Sequence, residues 1–379
     1  MIADTGTGQR LCIVTPAHSS TTTGGSEFQI DYLLETLVPQ RRFEIYYLTS
    51  FVAGESVNGS YRIVRIGDGV RAPRFGYLAH AAPLYRALTN LRPTVIYQRV
   101  AGGYSGVSAH YARRHGARFV WHIAHDSDVM PDASLEGRNP LRRYLEKRSV
   151  EYAIRHADCI IAQTAHQARL LEQNYARKAV AVIPNFQPEP RESIDKSGPL
   201  TVLWIASLKP WKCPEAFVRL AAGLHDLTGV RFVMVGSWAA GPGERKWVQS
   251  LTSRIESTPN LEHLGPRTQS EVNGLLARAH VFVNTSLYEG FPNTFIQAWS
   301  RDVPIVSLHV DPDGLLSRER LGLFCAGSEQ RLAGAVRELL AAAPLRTDFA
   351  ARGREHARLR HSLANANVLA DLLDRRAAA

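Results

Sequence analysis

The strongest constraint on this chain is an alternation that runs through it twice. Short apolar runs at 11–15, 43–48, 61–66, 94–98, 118–123, 159–162 and 180–183 alternate with stretches of helical spacing near 25–38, 79–91, 105–115, 141–156 and 166–175. Runs of this length suit strands buried on both faces, because a parallel sheet carries helices on either side. A polar, proline-rich segment then interrupts: Pro184-Asn185-Phe186-Gln187-Pro188-Glu189-Pro190-Arg191-Glu192 reads as a linker. Beyond it the pattern restarts, with apolar runs at 200–205, 230–235, 260–264, 281–283 and 305–307. Helical stretches near 213–226, 244–255, 270–278 and 293–300 separate them, and the tail reads as helical from about 329 to 378. The expectation is α/β: two doubly wound domains in tandem, at 1–187 and 188–360, with a C-terminal helix at 361–379 free to return to the first domain. Ligands of such sheets bind beyond the carboxyl ends of the strands.

Composition removes several other classes. A length of 379 residues exceeds one ordinary core. Hydrophobic content of 45% and charged content of 21% are ordinary globular values. Cys12, Cys159, Cys213 and Cys325 are far apart and show neither zinc-site nor disulfide spacing, which fits a reducing cytoplasm. The start of the chain lacks the apolar core of a signal peptide, and no run approaches a membrane span. A cytoplasmic protein is expected, at most peripheral at the inner face of a membrane.

The net charge of +10 is uneven, about +7 before Phe186 and about +3 after it. Arg138, Arg142, Arg143, Lys147 and Arg148 form the densest basic stretch. No nucleic-acid motif accompanies them, so nucleic acid is not expected as a partner. Anionic phospholipid and a plain solvated face both fit.

The segment Tyr288-Glu289-Gly290-Phe291-Pro292-Asn293-Thr294-Phe295-Ile296-Gln297 carries the most chemistry. It follows the apolar run His280-Val281-Phe282-Val283-Asn284, and past Phe291 the spacing turns helical. An acidic residue and a glycine therefore lie at a strand's carboxyl end against a helix start. Free N–H groups from about Asn293 to Phe295 are expected to receive a phosphate. Glu289 is then placed to accept from hydroxyls on whatever that phosphate carries. The combination suggests a nucleotide-sugar site.

The same segment resembles the Glu-x7-Glu signature of retaining GT-B glycosyltransferases of family four, also called glycosyltransferase group 1. Thr285, Ser286, Glu289, Gly290 and the later Asp311-Pro312-Asp313-Gly314 fit as well. The resemblance covers nearly the whole chain and implies two Rossmann-like domains facing an interdomain cleft. It places Gly290, Phe291, Pro292 and Asn293 in the donor site. The second Glu of the signature falls on Gln297, which by resemblance holds the ribose hydroxyls. An amide accepts from one hydroxyl and donates to the other, where a carboxylate would accept from both.

Other segments take their assignments from the same resemblance. Thr21-Thr22-Thr23-Gly24-Gly25-Ser26-Glu27 matches a Gly-Gly loop that faces the donor diphosphate, with Gly25 as the matching position; a helix-capping turn explains the same residues. It is not a Gly-x-Gly-x-x-Gly fingerprint, which disfavours a nicotinamide enzyme. In Trp121-His122-Ile123-Ala124-His125-Asp126-Ser127-Asp128, His125 falls on the active-site histidine and His122 is expected in the core. Neither Asp126-x-Asp128 nor Asp311-x-Asp313 is read as a metal site. In Trp204-Ile205-Ala206-Ser207-Leu208-Lys209-Pro210-Trp211-Lys212-Cys213, the family's diphosphate-binding Lys falls on Lys212 and its Arg on Ser207. Lys209 is close enough to substitute as a cation. Gly236 turns the chain from a strand end, and Gly265 and Arg267 are expected beside the nucleobase.

The resemblance thus implies a metal-independent retaining transferase with no cofactor. Its donor would be a UDP- or GDP-linked sugar and its acceptor a hydroxyl, lipid-linked ones included. The product would be a polysaccharide or glycolipid. Catalytic roles fall on His125, Glu289 and Lys212. A sugar-nucleotide epimerase or phosphorylase on the same fold, and a nucleotide-sugar-binding protein without catalysis, are the rivals.

Overall fold

The computed structural model describes residues 8–21, 24–52, 60–67, 79–131, 140–238, 241 and 243–375. Thr22, Thr23 and Arg138, named above, lie outside the described residues. The chain divides into two compact units, one running to Phe186 and resuming at Leu363, the other spanning Gln187–Ser362.

The first unit is a seven-stranded parallel sheet in the order β3-β2-β1-β4-β5-β6-β7. Its strands are β1 (Arg10–Ala17), β2 (Glu44–Phe51), β3 (Arg62–Arg65), β4 (Val95–Gln98), β5 (Arg118–His122), β6 (Cys159–Ala162) and β7 (Ala181–Val182). The helices α1 (Gly25–Gln40), α2 (Ala81–Leu91), α3 (Gly103–His115), α4 (Pro140–His156) and α5 (Ala165–Tyr175) connect them. The apolar runs are continuous because alternate residues feed two cores. Leu11 and Ile13 pack with Ile30, Leu33 and Leu37 of α1. Cys12 and Val14 pack on the other face with Leu84, Leu88 and Ala153. The last helix, α12 (Ala364–Asp374), joins the first of these cores through Leu369, Leu372 and Leu373. Each such buried leucine contributes about 1.5–3 kcal/mol relative to exposure.

The second unit holds a six-stranded parallel sheet in the order β10-β9-β8-β11-β12-β13. Its strands are β8 (Thr201–Ile205), β9 (Arg231–Val235), β10 (Leu261–His263), β11 (Val281–Asn284), β12 (Ile305–Ser307) and β13 (Gly322–Phe324). Its helices are α6 (Pro214–Gly223), α7 (Arg245–Glu256), α8 (Gln269–Arg278), α9 (Asn293–Trp299), α10 (Glu329–Ala341) and α11 (Ala343–Arg360). Again the strands feed two cores: Val202 and Trp204 meet Phe217 and Val336, whereas Leu203 meets Leu276 and Phe295.

Two features depart from the sequence expectation. β13 was not anticipated, since three residues beginning with glycine give no apolar run. The tail is not one helix but three, α10, α11 and α12. Ala342 leaves helical geometry at φ −112° and ψ 90°, and Pro344 opens the first turn of α11, where a missing N–H costs nothing. His361, at φ −130°, ends α11.

Candidate functional site

In the second unit, β8 and β11 are neighbours and the strand order reverses between them, the switch point past whose carboxyl ends ligands of such sheets bind. Two loops meet there. Leu287 N donates to Trp211 O at 2.9 Å, and Thr285 Oγ1 donates to Lys212 O at 2.7 Å. Trp204 Nε1 donates in turn to Thr285 Oγ1 at 2.9 Å, from a fully buried position at the end of β8. A short 3-10 turn, Pro210–Lys212, presents the lysine. Its backbone is therefore held before its side chain is considered.

That side chain forms an ion pair with Glu289 Oε1, and only 17% of the Lys212 side chain and 12% of the Glu289 side chain are exposed. The structure thus brings together two candidates that lie on different loops. Lys209 precedes the turn and stacks its ammonium on the Trp211 ring, 4.9 Å from the centroid. Ser207 is half-buried on the same loop.

Gly236 is a packing requirement. A Cβ there would lie 1.8 Å from Ala206 O, and its φ is 155°. Its N–H donates to Gly265 O at 3.0 Å, while Ala206 N donates to Val235 O at 3.1 Å. Loops after β8, β9 and β10 are thereby laced together. Arg267 turns back toward its own helix: it donates to Pro266 O at 3.0 Å and lies 3.7 Å from Glu271.

One residue in this region was missed. Trp238, bridged to Leu208, is 36% exposed and makes edge contacts with Trp247 at 6.1 Å and His263 at 6.0 Å. The signal was available, since a tryptophan just past a strand end that carries a glycine turn has an unusual position.

Around α9 the expectation of free amides needs correction at Phe295 alone. Pro292 is the N-cap, and Phe295 N is taken by Pro292 O at 3.0 Å. A proline cap has no side-chain acceptor, so the first turn closes on its own carbonyl. Gly290 and Phe291 are buried, and Asn293 O accepts from Gln187 Nε2 at 3.3 Å. Gln297 is 5% exposed, and its carbonyl accepts from Arg301, which also pairs with Glu192 at 2.9 Å. Asp311 caps the segment after it, accepting from Leu316 N at 2.8 Å and Ser317 Oγ at 2.5 Å.

In the first unit, Gly25 opens α1 after the Gly24 cap, past the carboxyl end of β1. His125 follows β5 and is half-buried. Asp128 Oδ2 accepts from Ala124 N and His125 N, both at 2.9 Å, fixing the backbone that carries the imidazole. Burial holds the Asp128 carboxyl above its ordinary range. Asp126 accepts from Gln167 Nε2 at 3.0 Å, so both aspartates are engaged with the fold. His122 is fully buried, meeting Tyr97 OH at 3.0 Å and Arg99 at 3.2 Å.

Comparison with known proteins bears on both units. Residues 199–342 match the family model of glycosyl transferases group 1, and residues 15–185 match that of the glycosyl transferase 4-like domain. The lipopolysaccharide core biosynthesis glycosyltransferase LpsE of Rhizobium meliloti is 26% identical over 208 residues, 53% of this chain and 59% of its own length. One subunit of the human phosphatidylinositol N-acetylglucosaminyltransferase is 24% identical over 262 residues, covering 66% of this chain and 52% of its own length. The chain thus spans little more than half the length of these curated relatives. HepE of Anabaena, solved in complex with UDP and glucose, superposes with a TM-score of 0.76 at 18% identity, covering 96% of this chain and 99% of that one. WaaG, a glycosyltransferase involved in lipopolysaccharide biosynthesis, gives 0.76 at 15% identity over 96% and 99% of the two chains. The fold is therefore GT-B, built of two Rossmann-like domains.

Proposed function

The chain belongs to the group 1 glycosyltransferases, and from that premise we propose that it moves a sugar from a nucleotide-sugar donor to a hydroxyl acceptor during glycan synthesis. The observation that carries the proposal is the Lys212–Glu289 pair at the point where the strand order reverses. A cation and a carboxylate in contact, both largely withdrawn from water, offer one partner to a diphosphate and the other to sugar hydroxyls.

In this reading Lys212 and Lys209 take the diphosphate. Departure of a nucleoside diphosphate builds charge on phosphate oxygens, and fixed cations in a partly dry site stabilise that charge without reorganising. Glu289 holds donor-sugar hydroxyls and Gln297 the ribose. Trp238 offers an exposed ring face for the base. His125 is assigned to the transferred sugar by resemblance.

The proposed chemistry is retaining and independent of metal. The acceptor oxygen forms its bond to the anomeric carbon on the face from which the diphosphate leaves. As the carbon–oxygen bond to the diphosphate breaks, the leaving phosphate oxygen takes the acceptor proton. Uridine nucleotides are the first donors to test, because HepE was solved with UDP and with UDP-glucose. A lipid-linked acceptor is supported by the names of the relatives, one for lipopolysaccharide core synthesis and one for phosphatidylinositol.

We also propose peripheral contact with anionic membrane through α4. Among the described residues no helix is long and apolar enough to cross a membrane. On α4, however, Leu141, Tyr144 and Leu145 are 64%, 59% and 43% exposed, at helical spacing, beside exposed Arg143, Lys147 and Arg148. Apolar side chains flanked by cations are what an interfacial helix presents to headgroups and acyl chains.

The test is a donor panel. UDP, GDP, ADP and CDP sugars are incubated with candidate acceptors, and nucleoside diphosphate release is followed with product anomeric configuration. Acceptor-dependent release from one nucleotide class supports the proposal. Binding without turnover on any acceptor favours a nucleotide-sugar-binding protein, the reading that Ser207 and Gln297 would then explain.

A further inference from the structure

We propose that a cavity at the amino-terminal edge of the second unit's sheet binds a phosphate-bearing small molecule. The cavity measures about 460 Å³, within the range of small-molecule sites, and is lined by Lys196, His280, Asp302, Arg346, Thr347 and Arg354 among others. His280 immediately precedes β11, whereas Lys212 and Glu289 lie past the carboxyl ends of β8 and β11. The two places are on opposite edges of one sheet.

The charges in the cavity do not balance. Arg354 is paired with Asp302. Glu355, also in the lining, is held by two bonds from Arg358, at 2.8 and 2.7 Å. Lys196 and Arg346 have no carboxylate partner among the described residues. Lys196 Nζ donates to Leu276 O at 3.0 Å and Ala279 O at 2.6 Å, at the end of α8. Arg346 Nη1 donates to Leu339 O at 2.6 Å and Leu340 O at 2.8 Å, at the end of α10. A helix C-terminus supplies only about half a negative charge. While Lys196 is protonated, two such ends leave roughly one positive charge uncompensated in a partly dry space.

The cost of that arrangement is visible in both groups. Burial pulls the Lys196 ammonium down to about 7, aided by the nearby Arg354 and Arg301 charges, and it lowers Arg346 below its ordinary value. Capping accounts for two donors of Lys196 and one nitrogen of Arg346. The third ammonium N–H and the Nε and Nη2 groups of Arg346 have no partner among the described residues. His280 adds no charge at neutral pH: burial lowers its pKa, and its ring contacts Thr201 N at 3.2 Å and Lys196 O at 3.0 Å. A compact dianion meets these spare donors best, since each phosphate oxygen accepts several charge-assisted bonds.

The experiment is thermal unfolding in a series of inorganic phosphate concentrations, with sodium chloride at matched ionic strength as the reference. Wild type and Lys212→Ala should both show a saturable rise in melting temperature. Thr347→Glu sets a carboxylate beside the two cations from an exposed position, opens no cavity, and should abolish the rise while binding nucleoside diphosphate like wild type. Arg346→Gln should abolish it too, and Thr347→Glu keeps the test sound if that variant unfolds. A glucose 1-phosphate arm separates sources: a stronger response than to inorganic phosphate marks a phosphorylated metabolite, and an equal one marks phosphate itself. No saturable rise beyond chloride, or a rise lost in Lys212→Ala but kept in Thr347→Glu, overturns the proposal.

Discussion

Lys212 and Glu289 neutralise each other: the ammonium of one meets the carboxylate of the other, with the side chains 17% and 12% exposed. Two unit charges in contact near a protein surface attract by about 4 kcal/mol, so neither is idle. A bound donor would exchange this contact for two others, phosphate on the lysine and sugar hydroxyls on the glutamate. Glu289→Gln should therefore lower transfer on the order of a hundred- to a thousand-fold. Initial rates with the preferred donor measure this, and a near wild-type rate would remove Glu289 from the site.

Gly236→Ala should damage the second unit rather than the chemistry. A Cβ placed 1.8 Å from Ala206 O must push apart the loops after β8 and β9, and both backbones are held by ladder hydrogen bonds. The expected loss is at least about 2 kcal/mol, or roughly 4–8 °C in melting temperature. An unchanged melting curve would show that the loops yield easily.

Stability should fall on mild acidification. Burial lowers the pKa of His18, His122, His280 and His356 in the native state. Below about pH 6.5 the unfolded chain binds protons that the native chain refuses, so stability present above that pH is lost as pH drops toward the depressed values. Lys196, held at about 7, acts in the same direction near neutrality. Asp31 and Asp128, raised by burial, act oppositely, but they are fewer. The urea midpoint should be lower at pH 5.5 than at pH 7.5, and His122→Gln should shrink the difference. Equal midpoints would contradict this.

Vesicle co-sedimentation addresses α4. Wild type should partition onto vesicles containing anionic lipid at low salt and be released at high salt, because each basic residue contributes about 1 kcal/mol near such a surface. Replacing Leu141 and Tyr144 by serine should weaken binding without altering salt release. Equal partitioning onto neutral and anionic vesicles would leave a merely solvated face.

Much of the fold was legible because parallel strands buried on both faces leave unbroken apolar runs, as Leu11 to Val14 and Val202 to Trp204 do. β13 was not, since Gly322–Phe324 is too short for periodicity to register. The break between α10 and α11 had a local sign in Pro344, but the three alanines before it masked it. At the site, Glu289 and Lys212 could be named from strand-end position and resemblance. Their contact could not, because it joins loops 77 residues apart through Thr285 and Trp204. The Phe295 amide is the opposite case, closed by a purely local bond to Pro292 that periodicity does not reveal.

Calorimetric titration of the nucleoside diphosphate selected by the donor panel tests the central claim most directly. In Lys212→Ala the affinity should fall at least about ten-fold, the equivalent of 1.4 kcal/mol. In Glu289→Gln it should hold or tighten, because the lysine loses its internal competitor while the phosphates lose nothing. Wild-type affinity in Lys212→Ala would contradict the account, since the cation at the centre of the proposed donor site would then touch no phosphate.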